Sequence, residues 1–169
     1  MIDANQKHAA DSTQWVVFTV GEERFGVTAT QVQEIVRYPE VTLVPDMPRF
    51  VKGVMNLRGK IIPLMDLQER FGLPGAVEDS SRRVVVAMFG EQFVGLVVHS
   101  VIGVVRIPAE AIEALPATLP KVESEYISGV GKISGKLVVL LNLDRMLGDM
   151  EKTILSKLVG REQEGAAKA

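Results

Sequence analysis

The 169-residue chain has no cysteine. That excludes disulfides, thiolate nucleophiles and cysteine-based metal sites together, and it suits a reducing compartment. Histidine is scarce too. His8 lies in a polar N-terminal stretch and His99 follows the apolar run Gly95-Leu-Val-Val98, so no second ordered histidine is at hand to share a metal or a proton. Serines 80, 81, 100, 124, 128 and 134 stand in neither a Gly-x-Ser-x-Gly nor a Ser-x-x-Lys setting. No Gly-x-x-x-x-Gly-Lys-Ser/Thr loop occurs to cradle a phosphate. Carboxylates are scattered: Glu22-Glu23 in a turn, Asp66 at a helix start, Glu123 and Glu125 in a polar loop. The inventory points away from an enzyme.

Strong charge is also lacking. The net charge of −2 offers no field to hold a polyanion, which opposes nucleic-acid binding. No run of about 18 apolar residues exists to span a bilayer. Met1–Thr13 has no apolar stretch of the signal-peptide kind, so the expected location is the cytoplasm. Aromatics make up 5%, with one Trp, which opposes a binder of proline-rich peptides, whose grooves are aromatic-lined.

What the chain does have is valine, in short runs cut by glycine and proline, the pattern of strands and turns. Gln14–Val20 and Arg24–Thr28 flank Gly21-Glu22-Glu23 as a hairpin. Ala29–Val36 reads as a short turn leading into a strand, and Pro39–Arg49 as irregular. Phe50–Leu57 and Lys60–Met65 form a hairpin around Arg58-Gly59, and Asp66–Phe71 is a capped short helix ending at Gly72. Strands at Arg82–Phe89, Gln92–Val98 and Val101–Ile107 follow. Then come a helical turn at Ala109–Ile112, a hairpin of Tyr126–Ile133 and Lys136–Leu141 around Ser134-Gly135, a short helix at Asn142–Leu147, and an amphipathic helix at Met150–Val159.

The second half repeats the first. Gly53–Leu67, GVMNLRGKIIPLMDL, and Gly129–Leu143, GVGKISGKLVVLLNL, share six of fifteen residues at an offset of 76. Val20-Gly21-Glu22 and Phe89-Gly90-Glu91 match at an offset of 69, which places seven extra residues in the proline-rich loop of the second half. Each half offers four or five short strands, and a sheet that small covers its edges best by curling into a barrel. The expected class is all-β: two five-stranded barrels related by internal duplication, with short helices and a C-terminal amphipathic helix. The expected organisation is a disordered tail at 1–13, one domain at 14–148 with subdomains at roughly 14–81 and 82–148 that exchange strands or do not, a helix at 149–160 and a flexible tail at 161–169. A crevice between two barrels is a natural binding site.

Val32-Gln33-Glu34-Ile35, the run Phe50-Val-Lys-Gly-Val-Met-Asn-Leu-Arg-Gly-Lys-Ile-Ile-Pro-Leu-Met-Asp-Leu67, Gly95-Leu-Val-Val98 with Val101, and Tyr126-Ile-Ser-Gly-Val-Gly131 resemble the CheW family, over roughly residues 14–148. The resemblance implies two intertwined SH3-like barrels, no enzymatic activity, no cofactor and no metal. It implies a cytoplasmic chemotaxis adapter, recruited to membrane receptor arrays, that joins the regulatory domain of the histidine kinase CheA to the cytoplasmic tip of methyl-accepting chemoreceptors. The alternative is the scaffold of a non-flagellar chemosensory pathway, such as pilus motility or second-messenger control. By resemblance the receptor groove comprises Val32, Gly53, Leu57, Arg58, Val101 and Val104. Kinase contacts fall at Thr30 and Glu34 and, in the second half, at Ile112, Glu113 and Thr118. An Arg58–Glu34 ion pair beside the groove is expected. Two departures stand out: His99 occupies a place where the family often has an acidic residue, and Glu113–Thr118 holds no aromatic or basic residue, so the second kinase contact is expected to be altered.

Overall fold

Valine-rich strands joined by two-residue turns build two curled sheets, and the first hairpin of each half lies in the other half's sheet. The computed structural model describes residues 12–75, 81–114 and 124–152. Its strands are β1 (Ser12–Val20), β2 (Glu23–Thr28), β3 (Val32–Arg37), β4 (Val51–Leu57), β5 (Lys60–Asp66), β6 (Arg83–Phe89), β7 (Gln92–Val98), β8 (Ser100–Pro108), β9 (Ile127–Ile133) and β10 (Lys136–Leu141). Helix α1 is Leu67–Phe71, and α2 covers residues 143–152.

Barrel I has the order β8-β1-β2-β10-β9 and barrel II the order β3-β6-β7-β5-β4. The sheets therefore do not follow the two halves. Barrel II takes β3, β4 and β5 from the first half and the β6–β7 hairpin from the second; barrel I takes the reverse set. Parallel pairing of β10 with β2 and of β5 with β7 makes the exchange. A boundary near residue 81 thus falls between elements that share barrel II.

The exchange explains why β1 and β6 read as continuous apolar runs. In β1, Trp15 and Val17 fill barrel I while Val16, Phe18 and Val20 enter a core shared by both barrels. In β6, Val84 and Val86 fill barrel II while Val85 and Ala87 enter the shared core. A strand alternates its faces with period two, so a strand buried on both faces must be apolar throughout.

The predicted hairpins hold, with ends shifted by a residue or two. The expected tail at 1–13 lies outside the described residues except for Ser12 and Thr13, which already pair with Pro108 and Ile107. The expected helices at 142–147 and 150–159 are one continuous helix through the described residues to 152. Leu143, Met146, Leu147 and Met150 form a buried i, i+3, i+4, i+7 stripe, and this stripe carries the helix through Gly148. Residues 153–159 and the tail at 161–169 lie outside the described residues.

Candidate partner-binding surface

The repeated turn Arg58-Gly59 (φ 53° and 85°) has its counterpart in Ser134-Gly135 (φ 52° and 77°). Positive φ at both central residues gives the tight hairpin its twist. The turn carries Arg58 outward, and Asn56 Oδ1 accepts the Gly59 N–H at 2.9 Å. Arg58 Nη1 and Nη2 then donate to Glu34 Oε1 and Oε2 at 2.6 and 2.7 Å. Glu34 stands on β3, one edge of barrel II, and Arg58 follows β4, the other edge. The expected pair exists, and it bridges the seam of the barrel. The Arg58 hydrogen bonds and charge hold the Glu34 carboxyl below its ordinary value and raise Arg58 in turn. The equivalent places in the second half are Gly103 and Ser134, so barrel I has no such pair there.

Val32, the first residue of β3, and Val101, the second of β8, match at the 69-residue offset, and both are half-buried against the shared core. The duplication therefore brings them to equivalent places where the barrels join. Val104 is 58% exposed, on an outward face of β8. Leu57 packs toward the core of barrel II. Thr30 is exposed in the 3-10 turn Ala29–Gln31.

Gly53, expected in the groove, is buried, because the chain after β3 crosses it: Thr42 pairs with Val54 through two 2.9 Å backbone bonds. A Cβ at Gly53 would fall on the Thr42 carbonyl oxygen, and its φ is 144°. Gly129 repeats the arrangement under Ile112 and Glu113, and Glu113 pairs with Val130. Ile112, expected at a kinase contact, is half-buried against the barrel I core. Glu113 is an exposed side chain on that covering segment. Thr118 lies outside the described residues.

His99 follows β7 and is half-buried, its backbone N–H donating to Thr19 O at 2.8 Å. Among the described residues no group of three or more His, Asp or Glu is placed to hold a metal, and no helix is long and apolar enough to cross a membrane. Sequence reasoning did not find the polar contacts of α2. Gln31 Nε2 donates to Asp144 Oδ1 at 2.8 Å, and Arg70, Tyr126 and Asp149 form a chain. The signal available was that Tyr126 stands 76 residues after Phe50.

A family model described as "CheW-like domain" matches residues 14–151. The chain belongs to the CheW family. The chemotaxis protein CheW of Klebsiella aerogenes is 34% identical over 145 residues, covering 86% of this chain and 87% of that protein. Protein FrzA of Myxococcus xanthus is 34% identical over 143 residues, covering 82% and 88%. The crystal structure of the scaffolding protein TtCheW from Thermoanaerobacter tengcongensis aligns with a TM-score of 0.72 at 32% identity, covering 78% of this chain and 84% of that one. The CheW fold here is the all-β pair of SH3-like barrels, and the family is one of scaffolds rather than enzymes.

Proposed function

We propose that this CheW-family scaffold couples methyl-accepting chemoreceptors to the histidine kinase CheA, in the cytoplasm and at membrane receptor arrays. The observation that carries the reading is the junction itself. Val32 and Val101 are repeated aliphatic positions at the join of two barrels that share one core, beside a seam closed by Arg58 and Glu34. A helical receptor tip needs an aliphatic groove with few charges, and Val32, Val101, Val104 and Leu57 supply its side chains, with Arg58 at its margin. Gly53 serves this surface by admitting the covering segment at Thr42. Thr30 and Glu34 face the kinase regulatory domain, and Ile112, Glu113 and Thr118 belong to a second kinase contact, altered by the lack of aromatic and basic residues over Glu113–Thr118.

Pulldown of separate kinase regulatory domain and receptor tip by the immobilised chain tests the assignment. The reading expects Val101→Asp to lose the receptor tip and keep the kinase domain. Loss of neither would contradict it. The 34% identity to FrzA, a relative under a different name, favours as a second reading the scaffold of another chemosensory pathway. The genes adjoining this one separate the two.

A further inference from the structure

One cation contacts the matching aromatic of both halves. The Arg70 guanidinium lies over the Phe50 ring, 5.8 Å from its centroid, and over the Tyr126 ring, 5.2 Å away. Arg70 Nη2 donates to Tyr126 Oη at 2.9 Å, and that hydroxyl donates to Asp149 Oδ2 at 2.8 Å. Phe50 and Tyr126 are equivalent in the repeat, and each backbone carbonyl accepts from the residue that caps the next helix: Asp66 N to Phe50 O at 2.6 Å, Asn142 N to Tyr126 O at 2.7 Å. A single arginine is thus stacked against the matching aromatic of both halves. Its own counterpart, Met146, is fully buried, so the repeat alone does not account for the arginine.

Helix α2 makes a second directional contact, at the crossover from barrel I to barrel II. The turn after β2 is tied by Thr28 Oγ1 donating to Gln31 Oε1 at 2.6 Å and by Gln31 donating to Asp144 at 2.8 Å. Val32 follows immediately. The shared core is apolar, and apolar burial is non-directional. A planar guanidinium stack and charge-assisted hydrogen bonds, by contrast, fix angles, and satisfied polar networks specify one arrangement.

We propose that Arg70 and Tyr126, locked by α2 through Asp149, are positioning residues that set the angle between the barrels and so the relative placement of Val32 and Val101 at their join. The use of that surface in receptor binding rests on the adapter reading; the angle does not. Because the chain has no cysteine, Gln14→Cys on β1 and Gln33→Cys on β3, both exposed, accept one spin label on each barrel. Pulsed electron resonance on the full chain is expected to give a narrow distance distribution, and a broadened, shifted one in Tyr126→Phe and Arg70→Met. Tyr126→Phe keeps the buried ring, so it separates the hydroxyl's role from folding. In the same variant, binding of a receptor tip should weaken roughly three- to tenfold, about one hydrogen bond's worth, with kinase-domain binding unchanged. Distributions superimposable on the parent in both variants would overturn the proposal, as would a changed distribution with unchanged receptor affinity. Failure of the parent chain to bind receptor at all would count against the adapter reading, while the distances still decide the positioning role.

Discussion

Arg58 grips Glu34 through two parallel hydrogen bonds of 2.6 and 2.7 Å, across the seam where the first and last strands of barrel II approach. Arg58 is 72% exposed at its side chain and Glu34 23%, so the pair is a surface feature. Pairs of this kind add little to stability; under the proposed function this one orients the margin of the partner-binding surface.

Arg58→Ala should therefore impair pulldown of partners while leaving the thermal midpoint nearly unchanged. Wild-type binding to both kinase and receptor would refute the role. The pair is also legible by titration. Glu34's carboxyl is held below its ordinary 4.5, chiefly by the Arg58 hydrogen bond. A depressed folded-state value means that the pair's contribution is present above the unfolded value and is lost as pH falls through the folded one. NMR titration should show the Glu34 midpoint rising toward the ordinary value in Arg58→Ala.

Gly53→Ala should destabilise by about 1–3 kcal/mol, since a φ of 144° and the Thr42 carbonyl both oppose a Cβ. Gly129→Ala, with Ile112 and the Glu113 carbonyl (3.0 Å) in the way, should lie in the same range. Urea unfolding of both variants gives the values, and parental stability in either would show that the covering segments yield.

Phe18, fully buried in the shared core, should cost about 3–5 kcal/mol on change to Ala. Because β1 builds barrel I with one face and the shared core with the other, the loss must weaken both barrels. Calorimetry should show one transition, shifted downward in the variant. Two separate transitions would contradict a core held in common.

Asp66 is 2% exposed and caps α1, accepting from Gln68 N at 2.9 Å and Glu69 N at 3.3 Å, with Lys52 Nζ 3.4 Å and Arg82 Nη1 3.5 Å away. Asp66→Asn keeps a capping oxygen and should cost less than Asp66→Ala, which loses the cap, worth about 1 kcal/mol, and leaves two cations without their carboxylate. Equal losses in denaturant melts would assign the effect to charge alone.

What was legible in the chain was local. The Arg58-Gly59 and Ser134-Gly135 turns, the Asp66 cap and the Gly72 terminus declare themselves through neighbours in sequence, and the repeat made the second turn and the Asn142 cap checks on the first copies, whereas Gly148, the counterpart of Gly72, lies inside α2. The hairpin exchange had no local signature, because the β2–β10 and β5–β7 pairings join distant residues, and only the family resemblance, which implied intertwined barrels, pointed to it. The structural demand at Gly53 was hidden for the same reason: the need for glycine comes from Thr42, which folding brings across it. Arg58–Glu34 was found because both charges lie within the recognised family motifs, whereas Arg70 carries no local signal beyond a charge in the last turn of a short helix.

The adapter reading is tested most directly by sedimenting receptor-bearing vesicles with CheA in the presence and absence of this chain. The account predicts that CheA pellets with the receptors only when the chain is added, that the chain pellets with it, and that Val101→Asp abolishes both. A folded chain that stays in the supernatant and leaves CheA there would contradict it.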